Sequence, residues 1–96
     1  MSHLIWSAEA LLDVQRLYRF LERKSRVAAK RAIATIRREV KWLRTYPQLG
    51  RSAKHLGPEY RQLPVQFGSE GYIVLYAIRR DVITILAVKH QREFSP

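Results

Sequence analysis

Pro47 divides this sequence into two halves with different hydrophobic periods, and that switch limits the possible folds more than any other feature. Before it, apolar residues recur at three- and four-residue spacing: Ala10, Val14, Leu17 and Leu21, then Ala29, Ile33, Ile36, Val40 and Leu43. Such spacing puts each set on one face of a helix. After it, Leu63, Val65 and Phe67 alternate with polar residues, and Tyr72 to Ile78 and Val82 to Val88 are nearly continuous β-branched and aromatic runs. Those are strand patterns, the last two apolar enough for central strands covered at least in part on both faces.

The punctuation fixes the boundaries. Ser7 is placed to cap a first helix over residues 8–23, with Glu9 and Asp13 near its positive end. Leu11 and Tyr18 widen its apolar stripe, and Arg16, Arg19 and Arg23 occupy the outer face. Ser25 caps a second helix over residues 26–45, which Tyr46-Pro47 stops because proline disfavours helical geometry in the residue before it. So short a link makes the two helices an antiparallel hairpin. Residues 47–58 read as a loop marked by Pro47, Gly50, Gly57 and Pro58. Glu59 to Phe67 reads as a strand in which Pro64 calls for a bulge or an unpaired edge. Turns at 68–71 and 79–81 make an antiparallel meander. The run 3–6 joins the same sheet, and the hairpin covers one face. The expected fold class is α+β: an N-terminal short strand, an antiparallel helical hairpin, then a three-strand meander, all in one curved sheet. At 96 residues this is a single domain, 1–96.

Charge sets the class of partner. Lysine and arginine total 18 against 8 acidic residues, a formal net charge of +10. Most of these cations are arginines, the better side chain for bidentate contact with phosphate and carboxylate. Nucleic acid, a nucleoprotein machine, an acidic protein or an anionic surface would fit. The absence of cysteine excludes disulfides and thiolate metal sites, and three scattered histidines make a poor zinc set. No cofactor or metal is expected. The N-terminus lacks signal-peptide character and no apolar run reaches membrane-spanning length, so a cytoplasmic location with no membrane partner is expected. No P-loop, paired carboxylates or hydrolase triad is visible.

Three basic clusters could carry function. His90, beside Lys89 and Arg92, is a candidate acid–base group, although a lone histidine also serves to cap a sheet edge. Arg51, Lys54 and His55 in the loop, with Arg61 on the next strand, could hold a phosphate or stabilise charge at phosphorus, or could be an ordinary basic loop. By strand parity Arg61 points at the core face, from which it would have to reach solvent or a carboxylate. Lys30, Arg37, Lys41 and Arg44 form a basic stripe on the second helix, either solvated or turned toward nucleic acid or acidic protein. Tyr72 and Tyr76 sit in a core-like run, which argues against a stacking role.

The order of parts resembles the RelE/ParE superfamily of type II toxin–antitoxin toxins over nearly the whole chain. The resemblance is carried by Trp6-Ser7-Ala8-Glu9-Ala10 and Asp13, by Tyr46-Pro47-Gln48-Leu49-Gly50-Arg51 and by Glu59-Tyr60-Arg61-Gln62-Leu63. It continues through Gly71 to Tyr76 and through Asp81 to Glu93. The Pro-x-x-Gly-Arg loop followed by the terminal His-x-Arg is the most specific part. It implies a cognate acidic antitoxin, a toxin–antitoxin hetero-oligomer, and a role in growth arrest and plasmid or locus maintenance. RelE-like members cut mRNA in the ribosomal A site, whereas ParE-like members poison DNA gyrase. His90, Arg61, Arg51 and Lys54 would be catalytic only in a ribonuclease, and Phe94, where many ribonucleases carry tyrosine, has no hydroxyl. The His90 to Glu93 tail and long hairpin look more like ParE-type sequences. The resemblance therefore implies a gyrase inhibitor, with a ribosome-dependent mRNA endoribonuclease as the alternative and a non-toxic nucleic-acid-binding module as a second. Arg37, Lys41, Arg44, Arg79, Arg80, Arg92 and Phe94 are the expected contacts to target or antitoxin.

Overall fold

The computed structural model describes residues 2–94. Strand β1 (His3–Trp6) leads into helices α1 (Ala8–Glu22) and α2 (Arg26–Lys41), and a 3-10 turn (Trp42–Arg44) ends the helical half. Strands β2 (Arg51–Ser52), β3 (Tyr60–Phe67), β4 (Glu70–Arg79) and β5 (Val82–His90) follow, and a second 3-10 turn spans Gln91–Phe94. All five strands form one sheet in the order β1-β5-β4-β3-β2. The meander is antiparallel, whereas β1 pairs parallel with β5, His3 opposite Val82 through Trp6 opposite Ile85.

Both expected caps form. The Ser7 hydroxyl accepts from the Ala10 amide at 3.0 Å, and that of Ser25 from the Ala28 amide at 3.1 Å. Ala10, Val14 and Leu17 of α1 and Ile36 and Val40 of α2 are buried with Leu43 against one sheet face. That face presents Leu63, Val65, Tyr72, Val74, Tyr76, Ile83, Ile85 and Val88. The step of three from Ile85 to Val88 would send one of them outward in a regular strand. A bulge prevents this: Leu75 pairs with Ala87 but Tyr76 with Ile85, leaving Leu86 extra. On the opposite face Leu75, Thr84 and Ala87 remain half-buried.

Four expectations need correction. The α-helix stops at Lys41 and tightens into a 3-10 turn instead of running to residue 45. The loop 47–58 contains β2, whose Arg51 and Ser52 pair with Gln62 and Arg61. Two residues are too few to show an alternating pattern. Leu11 is 45% exposed and outside the core. The hairpin turns are also tighter than expected, because Phe67 pairs with Glu70 and Arg79 with Val82. Gly68 and Arg80 take positive φ (58° and 56°) in these two-residue turns. Pro64 lies in β3 beyond the part covered by β2, so its missing amide falls on an open edge and the bulge lies elsewhere.

The return of the chain from the helices to the sheet is pinned from beneath. The buried Tyr76 hydroxyl donates to the Pro47 carbonyl (2.8 Å) and accepts from the Gly50 amide (2.9 Å). Arg61 Nε donates to the Gly50 carbonyl (2.9 Å) and a terminal guanidinium nitrogen donates to that of Gln48 (3.3 Å). Gly50 must be glycine here, since a Cβ would lie 2.7 Å from both the Gln62 carbonyl and the Tyr76 hydroxyl. By contrast, the buried Tyr72 hydroxyl has no partner among the described residues.

The two phenols therefore have opposite consequences. Tyr76→Phe strands a buried carbonyl and amide and is expected to destabilise by about 1–3 kcal/mol, whereas Tyr72→Phe removes an unpartnered buried hydroxyl and is expected to be neutral or stabilising. Urea unfolding of both variants measures this, and equal losses would contradict it. Burial also raises both phenol pKa values above the ordinary tyrosine value. Their contribution to stability is full below that value and is lost as pH rises through the folded-state values.

Candidate functional site

The helical half builds a groove beside β1. Leu4, Trp6, Leu11 and Val14 form its apolar wall, and Arg37, Lys41 and Arg44 line it from the α2 side, around a volume of about 410 Å³. The sequence periodicity explains the arrangement. Leu11 follows the core residue Ala10 by one position and so turns a quarter of the way round α1. Arg37 and Lys41 follow Ile36 and Val40 in the same way. None of the three cations has an ion pair among the described residues, and all three are exposed. An apolar wall facing unpaired cations suits a segment that alternates apolar and acidic side chains. The sequence placed the cations on a stripe but did not reveal Leu4, Trp6 and Leu11 as the opposite wall.

His90 ends β5 with both ring nitrogens engaged. Arg92 N–H donates to Nδ1 (3.1 Å), so Nδ1 is the acceptor, and Nε2 carries the proton donated to the Glu70 carboxylate. That hydrogen bond is the main cause holding Glu70 below its ordinary pKa. The ring also meets Tyr72 edge-on, with centroids 5.5 Å apart. The environment differs from the one read in the sequence, where Lys89 and Arg92 were the neighbours. Lys89 instead pairs with Asp13 at 3.0 Å, and Asp13 also accepts from the Val88 amide at 2.9 Å. Glu70 was not singled out from the sequence; a tight hairpin register is what brings it opposite the end of β5.

The loop cations do not converge with His90. Arg61 faces the helices, as its parity suggested, but its partners are backbone carbonyls and not solvent or a carboxylate. Arg51 pairs with Gln62 and so lies on the other face from Arg61, while Lys54 and His55 are exposed in the turn beyond β2. Arg61 is opposite Tyr76 and His90 opposite Tyr72, four residues apart on β4. That offset is roughly 13 Å along the strand, with β4 lying between them.

The remaining candidates are dispersed. Arg79 pairs with Glu59 at 3.3 Å beside the last hairpin, and Arg80 occupies its exposed turn. Arg92 is exposed in the C-terminal turn, which is tied back to α1. Glu93 accepts from the His90 amide at 2.8 Å and pairs with Arg16 at 3.2 Å. The side chain of Phe94 lies outside the described residues. Among the described residues no group of three or more histidines and carboxylates could hold a metal ion, and no helix is long and apolar enough to cross a membrane.

Known proteins resemble this chain in sequence and fold. The sequence profile of the family described as "ParE toxin of type II toxin-antitoxin system, parDE" matches residues 4–93. Toxin RelE3 of Caulobacter vibrioides is 32% identical over 81 residues, covering 84% of this chain and 85% of that protein. A chain from the solved chromosomal ParDE TA system of P. aeruginosa shares the fold, with a TM-score of 0.75 and 22% identity, over 94% of this chain and 96% of that one.

The Glu70–His90 contact predicts a pH signature. Because the folded-state pKa of Glu70 is lowered, its contribution to stability is full above the ordinary carboxylate range and is lost as pH falls through the folded value. Unfolding midpoints of the wild type and Glu70→Gln are expected to differ at neutral pH and to converge on acidification. A difference that widens toward low pH would contradict the assignment.

Proposed function

This chain belongs to the ParE toxin family of type II toxin–antitoxin systems, and from that membership we propose that it acts as an inhibitor of DNA gyrase. The observation that carries the proposal is the state of the cleavage candidates. A ribosome-dependent mRNA endoribonuclease needs a base with a free lone pair and cations converging on one phosphate. His90 has its accepting nitrogen occupied by the Arg92 amide, Arg61 is spent on two carbonyls, and Arg51 and Lys54 lie elsewhere. A protein that poisons gyrase by binding needs no bond-breaking group of its own. In this reading residues 1–96 act as one domain in the cytoplasm, where gyrase and its DNA are found. Growth arrest and maintenance of the encoding locus follow.

The cognate antitoxin is the natural occupant of the groove between α1, α2 and β1. An acidic segment with interspersed apolar residues would place carboxylates against Arg37, Lys41 and Arg44 and side chains against Leu4, Trp6 and Leu11. The product would be a toxin–antitoxin hetero-oligomer. The same basic surface would otherwise be open to gyrase-bound DNA.

Purified gyrase is expected to lose supercoiling activity, or to accumulate cleaved DNA, on addition of the protein. Unchanged gyrase at excess protein, together with A-site cuts in translated mRNA by primer extension, would transfer the assignment to the ribonuclease. For the groove, the triple charge reversal Arg37→Glu, Lys41→Glu and Arg44→Glu is expected to slow antitoxin association and flatten its salt dependence. Unaltered association kinetics would place the antitoxin on another surface.

A further inference from the structure

We propose that Trp42 and Tyr46 form a stacking platform for an unpaired base of single-stranded DNA. The proposal goes beyond gyrase inhibition and rests on that reading only for the choice of DNA over RNA. Trp42 is 52% exposed and Tyr46 is 55% exposed, although both are large aromatic side chains. Their rings stack on each other with centroids 6.0 Å apart and planes 30° apart. Neither belongs to the core.

The platform is held rigidly. The Tyr46 amide donates to the Trp42 carbonyl at 2.8 Å, and the Leu49 amide donates to that of Tyr46 at 3.1 Å. Immediately after Tyr46, the chain is locked by Tyr76 and Arg61 at Pro47, Gln48 and Gly50. An exposed aromatic surface that is already ordered loses little conformational entropy when it binds. Aromatic rings present a face that any base can stack on, whereas bases in a duplex are already stacked.

Charge on the same ridge favours nucleic acid over an apolar protein surface. Arg31, Arg38 and Trp42 follow one another at spacings of seven and four, so they lie along one face of α2 and its C-cap, and Tyr46, beyond the 3-10 turn, sets its ring against that of Trp42. Arg31 is exposed, and among the described residues Arg38 pairs only with Glu39, at 4.0 Å. Glu39 is the single acid in α2, against Arg26, Lys30, Arg31, Arg37, Arg38 and Lys41. Two cations thus lie on the ridge that leads to the two rings, placed to meet phosphates of a strand whose base stacks on the platform. The ridge lies about 100° round the helix from the Arg37–Lys41 row, so it is separate from the groove.

The test is fluorescence anisotropy of labelled oligothymidylate with the isolated protein at low salt, with Trp42→Ala, Tyr46→Ala and Trp42→Phe. Gyrase is absent, so the result is independent of the supercoiling assay. The wild type is expected to prefer the single strand over a duplex of equal length. Each alanine variant is expected to weaken binding by roughly tenfold, while Trp42→Phe retains most of it. Added salt is expected to weaken wild type and alanine variants in parallel, since the phosphate contacts are unchanged. Equal affinity of wild type and alanine variants would overturn the proposal. So would equal binding to duplex, or tighter binding to oligouridylate. Loss of self-association in Trp42→Ala without loss of DNA binding would assign the platform to a second copy of the chain instead.

Discussion

β1 lies parallel to β5 at one edge of the sheet, and β2 lies at the other edge, so the chain must cross the whole sheet between them. The helical hairpin makes that crossing, carrying the chain from β1 at one edge to β2 at the other, and its apolar stripes cover the sheet face that it passes over. Its two ends are fixed by hydrogen bonds. At the start, the Ser7 amide donates to the Ile85 carbonyl at 3.0 Å beside the β5 bulge. At the finish, Tyr76 and Arg61 hold the chain from Pro47 to Gly50. Between these anchors the groove and the aromatic ridge are placed.

The disposition of the acids turns a net charge into a usable surface. Among the described residues four of the eight carboxylates, Asp13, Glu39, Glu59 and Glu93, take part in ion pairs, and Glu70 accepts from His90. Asp13 covers the part of β5 that β1 leaves open, accepting the Val88 amide and pairing with Lys89. Glu93 and Arg16 then hold the C-terminal turn beside it. An exposed pair such as Arg16–Glu93 adds little stability by itself. The larger effect of these pairs is spatial, because they occupy carboxylates near the β5 end and the last hairpin while the cations of α2 stay mostly unmatched.

The fold was largely legible because its signals are local. Ser7 and Ser25 act over three residues, and the apolar stripes need only a helical period. Even the parity of Arg61 was readable. What escaped depended on pairing across the sheet. β2 is too short to show a pattern, and the Leu86 bulge is visible only through Ile85 and Val88 facing the same way. The site suffered most from this. His90 looked like a free base because its sequence neighbours are cationic, yet Glu70 reaches it through the β4–β5 register. Trp42 and Tyr46 passed unnoticed because residue four-spacing at the end of a helix reads the same whether the side chains face the core or the solvent.

The position of α2 explains how one short chain could serve a partner and a target. Its buried line, Ala29, Ala32, Ile36 and Val40, is committed to the fold. One residue further, Arg37 and Lys41 face an apolar wall and form a confined groove. Two residues further, Arg38 and Trp42 face open solvent, and a cation there has no neighbouring wall to select its partner. The groove therefore favours a segment with particular side chains in register, as an antitoxin supplies. The ridge favours repeated charge and flat faces irrespective of sequence, as a nucleic-acid strand supplies. If both proposed surfaces operate, antitoxin bound only in the groove would leave the ridge accessible. Neutralisation would then require the antitoxin to extend past Tyr46 or to obstruct the target by bulk.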